Sequence, residues 1–153
     1  MPSPNPAFVD ELIKVVNTSP FPEHMLMKLD AIAFDHAVVS LKIDTCHLQA
    51  YGIIHGGVLA TLIDTATFWA VFLRLPERDG LVNVDLKLNY LKPVADGTLT
   101  ATGRCIRAGR SLSYAEAGVT DAAGQLVAHG TSTLMALPGK GLNLKESKFL
   151  TPG

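Results

Sequence analysis

The stretch from Gln49 to Ala66, QAYGIIHGGVLATLIDTA, contains the residues of this chain best suited to do chemistry together. Two glycines, Gly56 and Gly57, stand at the predicted start of a helix, where backbone N–H groups lack partners and no side chain blocks them. Such a helix start can stabilise a developing negative oxygen, so we interpret it as a candidate oxyanion hole. The alternative is that the two glycines only permit a tight entry into the helix.

Asp64 is the only acidic residue between Asp44 and Glu77, and it lies in the middle of an otherwise apolar helical stretch. Aspartate is a poor helix former, and burying its charge is costly without partners. A carboxylate in such surroundings can have a raised pKa and act as a nucleophile or general base. The alternative is a structural carboxylate that is hydrogen-bonded to a neighbouring threonine or backbone group.

Two polar residues, Gln49 and His55, precede this helix. Either side chain is able to bind a substrate carbonyl group or to position a water molecule. For His55 the alternative is a structural role, in which its ring bonds to the backbone and caps the loop.

The spacing of Gly56 and Asp64 restricts how they can cooperate. The two residues are eight positions apart, which on an α-helix means roughly 12 Å of rise and about 80° of rotation. An attacking group and an oxyanion donor must each lie within about 3 Å of one reacting centre. We therefore expect a site that spans two subunits, in which Gly56 and His55 of one chain face Asp64 of the other across a two-fold axis.

The elements that must position these residues can be read from apolar periodicity and from turn residues. An amphipathic helix is predicted at residues 7–16, ended by Pro20 and Pro22, and two strands follow between Met25 and Ile43 with a turn at Asp35 and His36. A loop, 47–54, leads into the long apolar helix, 56–74. Four strands are predicted after it, at 81–93, 98–109, 111–122 and 125–137, separated by Asp96-Gly97, Gly109-Arg110 and Ala123-Gly124 as tight connections between antiparallel neighbours.

This order of elements predicts an α+β fold, a curled antiparallel sheet of about six strands wrapped around one long central helix. The length of 153 residues is that of one domain, 1–153, with a core at about 25–137. The tail, 139–153, has little apolar pattern, so we expect it to be mobile or to pack on a partner subunit.

Composition excludes several classes of function. The net charge is −1 and the basic residues are scattered, which argues against nucleic-acid binding. Cys46 and Cys105 form no disulfide or zinc pattern, and the five histidines fall at no recognised metal spacing. The N-terminus lacks the features of a secretory signal, so we expect a cytoplasmic protein. The apolar stretch 53–73 contains His55 and Asp64, which favours a helix buried in protein over one in a membrane.

The pattern HGGxxxxxxD, at His55-Gly56-Gly57 through Asp64, resembles the signature of the hotdog-fold acyl-CoA thioesterases, in the branch that includes phenylacetyl-CoA-pathway and 4-hydroxybenzoyl-CoA thioesterases. The similarity continues through LKLNYLKPV into the turn at 109–111 and covers most of residues 25–137. It implies that Asp64 activates water or attacks the thioester directly, that the Gly56 N–H holds the carbonyl oxygen, and that His55 and Gln49 orient the thioester. It also implies a homodimer or homotetramer with no cofactor, because CoA is part of the substrate.

The chain departs from relatives at several positions. Glutamine at position 49 matches one branch, whereas another common pattern has asparagine there, and Asp64 stands where some relatives have glutamate. The shorter aspartate leaves both direct attack and water activation open. Asn83 stands where relatives often carry serine or threonine to hold the nucleophilic water. Its alternative is an ordinary surface amide on a strand.

The ends of the substrate have their own candidate residues. For CoA they are Gly57 and the residues near strand ends and turns, Lys92, Arg107, Arg110 and Ser111, whose alternative is a solvated surface. For the acyl group they are Phe68, Trp69 and Phe72, whose alternative is ordinary core packing.

Three other functions share parts of this pattern. A serine hydrolase is disfavoured because the run 109–113, GRSLS, lacks the final glycine of a nucleophile elbow. A hydratase or dehydratase on the same fold uses a carboxylate and a histidine too, so the fold alone does not exclude it. A non-catalytic acyl-CoA binding module is the third possibility.

Overall fold

The computed structural model describes residues 3–150. The two ends of the predicted domain 1–153 therefore lie outside the described residues. The elements in chain order are α1 (Pro6–Asn17), α2 (Pro20–His24), β1 (Met27–Ala33), β2 (His36–Lys42), a 3₁₀ turn (Thr45–His47), α3 (Gly56–Phe72), β3 (Gly80–Tyr90), β4 (Thr98–Ala108), β5 (Leu112–Thr120) and β6 (Leu126–Leu137).

The six strands form one antiparallel sheet in the order β1-β2-β4-β5-β6-β3. The sheet curls around α3, which contacts all six strands. Because α3 is apolar on nearly every side, only a sheet that wraps it can bury it, and Leu62, Ile63 and Ala66 are fully buried. The predicted α+β architecture is confirmed.

The predicted four-strand meander after α3 is wrong for β3. Strands β4, β5 and β6 do follow one another as antiparallel neighbours, but β3 pairs with β6 on the far side, and β4 pairs with β2. Residues 91–97 therefore cross the sheet, and Asp96-Gly97 does not join neighbouring strands. Gly97 has a φ of 88°, and its carbonyl accepts a hydrogen bond from the Ile43 N–H just past the end of β2. Alternation and turn residues mark where a strand ends, but they do not say which strand it pairs with.

Strand β3 is an edge of the sheet. Among the described residues it pairs only with β6, so its other side presents unpaired backbone groups. Val82 and Val84 on this strand are exposed, Val84 to 52%. The register shifts between Asn83 and Asp85, so the strand bulges at this point.

The N-terminal segment forms two helices where one was predicted. Asn5 caps α1 by accepting the Ala7 N–H, and Phe8, Leu12 and Val16 are buried. Pro20 does follow the end of α1, but it also begins the five-residue helix α2. Proline is tolerated in the first turn of a helix, because the N–H that it lacks would have no partner there.

The tail 139–153 was expected to be mobile or to pack on a partner subunit, and its described part, 139–150, is hydrogen-bonded to its own chain. The backbone N–H groups of Lys145 and Glu146 donate to the Glu11 carboxylate at 3.1 and 3.0 Å. The Asn5 N–H donates to the Lys148 carbonyl at 2.9 Å. Residues 151–153 of the predicted tail lie outside the described residues. Both ends of the described chain are thus joined beside α1.

Within residues 3–150, no helix has the length and hydropathy needed to span a bilayer.

Candidate functional site

Asp64 lies in the middle of α3 and is half-buried at the wall of an apolar cavity of about 240 Å³. Burial removes water from the carboxylate and raises its pKa above the ordinary value. The side-chain hydrogen bonds that the described residues give to Asp64 end on its backbone carbonyl, not on its carboxylate. Asp64 therefore lines the cavity, and among the described residues its carboxylate has neither the threonine nor the backbone partner that a structural role requires.

The start of α3 leaves one backbone donor open. His55 is the N-cap, and its Nδ1 accepts the Gly57 N–H at 2.8 Å. This bond places the ring proton of neutral His55 on Nε2, which points away from the helix end. The capping role considered for His55 is thus present, and the Gly57 N–H is occupied. The Gly56 N–H has no acceptor within the described part of the chain.

A second cavity, of about 420 Å³, lies at this helix start and contains Gln49, Gly56 and Lys92 in its lining. The Gln49 Oε1 accepts the Tyr51 N–H at 2.9 Å, which fixes the side chain and leaves its NH₂ group to donate. The structure therefore brings Gln49 and Gly56 together but places Asp64 at the other cavity. This separation agrees with the helical spacing of Gly56 and Asp64.

Tyr90 is a residue at this cavity that the sequence did not single out. A Cβ atom added to Gly56 would lie 2.9 Å from Tyr90 Cζ, so the aromatic ring packs directly against the glycine. A side chain at position 56 would displace the Tyr90 ring, so this close approach favours glycine there. No local sequence pattern predicts this contact, because it depends on where the end of β3 meets the start of α3.

Asn83 lies beneath Asp64 on β3 and is not an ordinary surface amide. Its Nδ2 lies 3.3 Å from the Asp64 carbonyl and 3.4 Å from the hydroxyl oxygens of Thr67 and Ser132. The Thr67 and Ser132 hydroxyl oxygens are buried and 2.8 Å apart. This polar group links β3 and β6 to the backbone of α3 at Asp64. Thr67 and Ser132 were missed by sequence reasoning because hydroxyl residues are common on helices and strands.

The residues expected to bind CoA lie at two ends of the sheet. Lys92 follows the end of β3, and the N–H of its neighbour Leu91 donates to the Val127 carbonyl. The Lys92 Nζ forms an ion pair with Asp121 at 2.6 Å. Arg107 is the second-last residue of β4, and Arg110 and Ser111 lie in the β4–β5 turn; all three are exposed. The Ser111 carbonyl accepts the Ala136 N–H, so this turn lies beside the other end of β6. One chain therefore does not gather these residues around one ligand.

The three aromatic residues of α3 divide into two groups. Phe68 and Trp69 line the Asp64 cavity, and their rings meet edge to face with centroids 4.8 Å apart. Phe72 is 2% exposed and does not line this cavity, so for this residue the alternative of core packing holds. One turn of helix is enough to carry it from the cavity into the core.

Within residues 3–150, no three His, Cys, Asp or Glu side chains are grouped so that they could hold a metal ion.

A family model described as the thioesterase superfamily matches residues 51–128. Acyl-coenzyme A thioesterase 13 of Mus musculus is 28% identical over 127 residues, which span 80% of this chain and 90% of that protein. A putative esterase of Haemophilus influenzae is 32% identical over 89 residues, 58% of this chain. That match spans 64% of the esterase, somewhat less than two thirds of its length.

Solved structures show the same fold. A thioesterase from Haemophilus influenzae superposes with a TM-score of 0.80 at 24% identity, covering 90% of this chain and 95% of that one. The phenylacetic acid degradation protein PaaI of Thermus thermophilus, in a mutant form, has a TM-score of 0.70 at 29% identity. The match covers 98% of that chain but 76% of this one, which leaves about a quarter of this chain beyond it. These likenesses confirm the hotdog fold.

Proposed function

Because this chain belongs to the thioesterase superfamily, we propose that it hydrolyses the thioester of an acyl-CoA that carries an aromatic or a short to medium acyl chain. Asp64 is the general base or nucleophile, and the Gly56 N–H is the oxyanion donor. The observation that carries this proposal is the Asp64 carboxylate, which faces an apolar cavity and has no hydrogen-bond partner of its own among residues 3–150. The relative from Mus musculus named an acyl-coenzyme A thioesterase supports the substrate class.

A dimer through the β3 edge completes the site. Asp64 lies beside Asn83, and Gly56 lies beside Tyr90, so the two functional groups are next to points on β3 roughly 23 Å apart. Antiparallel pairing of β3 with a second copy, about a two-fold axis between residues 86 and 87, sets Tyr90 opposite Asn83 of the partner subunit. The start of α3 in one chain then faces Asp64 of the partner subunit, and the symmetry creates the site twice.

The same pairing supports the assignment of the CoA end. Lys92 lies just past one end of β3, whereas Arg110 and Ser111 lie near the other end. An antiparallel partner brings its own β4–β5 turn to the side of the sheet where Lys92 lies. Guanidinium and backbone N–H groups of that turn are then available to bind the CoA phosphates.

In the general-base form of the reaction, Asp64 takes a proton from water while the water oxygen attacks the thioester carbon. The Gly56 N–H and the positive end of α3 stabilise the oxyanion that forms. The carbon–sulfur bond then breaks, CoA leaves as the thiolate, and the proton on Asp64 passes to it. Gln49 and His55 donate from Nε2 to orient the thioester. Asn83 positions Asp64 by holding its helix backbone.

Thiol release from a panel of acyl-CoA substrates tests this function. The variants Asp64→Asn and Asp64→Ala should lose activity by roughly 10²- to 10⁴-fold, as expected for removal of a general base. Asp30→Asn is the matched control, because Asp30 is exposed on β1, away from both cavities. Full turnover in both Asp64 variants would refute the assignment. Conversion of an enoyl-CoA without thiol release would instead indicate a hydratase.

A further inference from the structure

The Asp64 cavity has two walls of different origin. One is the α3 face that carries Asp64, Phe68 and Trp69. The facing wall comes from the two ends of the chain, with Val15 and Val16 of α1, Phe21 and Pro22 of α2 and Leu142 of the tail. We call residues 3–24 and 139–150 together the terminal wall. All of it lies outside the residues that match the family model.

The two parts of the terminal wall are held to each other by hydrogen bonds. Asn5 donates from its backbone N–H to the Lys148 carbonyl at 2.9 Å, and from Nδ2 to the Ser147 carbonyl at 3.0 Å. The Glu11 carboxylate accepts the N–H groups of Lys145 and Glu146. The tail therefore follows a defined path along α1.

Lys148 ties the tail to the end of α3. It is 1% exposed, its Nζ donates to the Pro76 carbonyl at 3.1 Å, and the same atom lies 4.3 Å from the centroid of the Phe72 ring. Its backbone N–H donates to Glu77 Oε1 at 2.7 Å. The Gly141 N–H donates to the Arg78 carbonyl at 2.9 Å. Leu142 thus lies in a loop whose two ends are both anchored.

The size and the apolar lining of the cavity determine which acyl groups it can hold. Its volume of about 240 Å³ exceeds the roughly 150 Å³ of an engineered apolar cavity that binds benzene. An aromatic ring or a chain of several methylenes therefore fits. Because Leu142 and Phe21 contact the cavity while remaining 48% and 55% exposed, they lie where a longer acyl group would leave it.

We propose that Leu142 and Phe21 limit the length of the acyl group, so that the anchored C-terminal tail is a specificity element of this enzyme. The inference rests on the proposed thioesterase function, since it concerns the acyl pocket of the same site. Leu142 makes no contact with the reacting atoms, so it alters which substrate is preferred and leaves the hydrolytic step to Asp64 and Gly56.

The experiment compares Leu142→Ala, Leu142→Trp and the wild type on saturated acyl-CoA substrates of increasing length. Each added methylene that is buried should change kcat/KM by about fourfold. Leu142→Ala should increase the preferred length by roughly two methylenes and change the long-to-short ratio of kcat/KM by about 15-fold. Leu142→Trp should shorten the preferred acyl length. Leu150→Ala is the control, because Leu150 is in the same tail and equally exposed at 48% but does not line the cavity.

Two further measurements separate the possible failures. Thermal unfolding shows whether a variant is folded, and the Kd values of S-alkyl-CoA thioethers of the same lengths report the pocket without hydrolysis. Identical length profiles in wild type, Leu142→Ala and Leu142→Trp, in both hydrolysis and thioether binding, would overturn the role of Leu142. If the variants shift the preferred thioether length as predicted but the wild type releases no thiol from any substrate, the proposed thioesterase function is overturned and the role of Leu142 in the pocket stands.

Discussion

The carboxylate of Asp64, which has the central role in the proposed function, is unfavourable for folding. It is half-buried among apolar groups, and burial raises its pKa, so the folded protein binds its proton more tightly than the unfolded chain does. Stability therefore falls as pH rises from about the unfolded value, near 3.8, through the raised folded pKa. Above that pH range, the desolvation of this carboxylate lowers the free energy of unfolding.

The first prediction follows from that sign. Asp64→Asn should have a higher melting temperature than the wild type at pH 7, by roughly 2–4 °C for each kcal/mol gained. The two proteins should converge as pH falls toward 3.8, because the raised pKa of Asp64 makes the folded state take up this proton before the unfolded chain does. Thermal unfolding at several pH values checks this. A variant that is less stable at pH 7 would indicate that the charge has a stabilising partner.

The second prediction concerns the contact between Gly56 and Tyr90. Gly56→Ala keeps the backbone N–H but places a methyl group against the Tyr90 ring, so the ring must move. We expect a loss of roughly 10- to 100-fold in kcat/KM, typical of small misplacements at a reacting centre. The double variant Gly56→Ala/Tyr90→Ala should recover part of it. A double variant as impaired as the single one would show that the ring is not what Gly56 accommodates.

At the scale of single residues, sequence could single out Asp64 and the glycines as candidates because their signal is local. A charge within an apolar helix and a glycine pair before it are visible without knowing any contact. Tyr90, Thr67 and Ser132 gave no such signal, because their positions depend on how β3 and β6 meet α3. Phe68 and Phe72 could not be divided between pocket and core from the sequence, because they share one face of α3 and differ by only one turn along the helix.

At the scale of elements, the tail is the part that sequence could least describe. Strands and helices were predictable from alternation and capping, and β1, β2, α1 and α3 are close to their expected positions. The tail has neither signal, and it is held by Glu11, Glu77 and the buried Lys148 instead. The strand that pairs with β3 could not be predicted either, because the alternation of apolar and polar residues is the same whichever strand lies alongside.

The third prediction tests the anchor of the tail. Burial lowers the pKa of Lys148 to about 8 from 10.5, against the opposing effect of Glu77 and Asp79. Between these values the unfolded chain binds more protons, so the free energy of unfolding should rise with pH, by at most about 1.4 kcal/mol per pH unit. Denaturant unfolding across roughly pH 7.5–10.5 measures it. Lys148→Met should lack this rise, and Lys145→Met, an exposed control, should keep it.

At the scale of the whole molecule, the proposed site belongs to a pair of chains. Gly56 and Asp64 open into separate cavities of one chain, and β3 presents an unpaired edge between them. Helix geometry alone was enough to predict this separation from the sequence. It was not enough to suggest β3 as the edge of the proposed dimer, because that proposal depends on the strand order.

The fourth prediction uses mixed dimers. Asp64→Ala and Gly56→Pro homodimers should each be inactive, the second because proline has no N–H to donate. Dimers that contain one chain of each kind have one intact site and one doubly defective site. An equal mixture after subunit exchange should therefore regain about a quarter of wild-type activity. Verified mixed dimers with no activity would contradict a shared site.

The free edge of β3 has a consequence beyond catalysis. An uncovered strand with exposed valines is a template for any extended peptide, and natural proteins cover or charge such edges to avoid aggregation. In the proposed assembly, covering that edge and completing the site are one event. Dilution below the dissociation constant of the dimer would then abolish activity and expose the aggregation-prone β3 edge at the same time. The concentration of the protein would therefore govern both its turnover and its solubility.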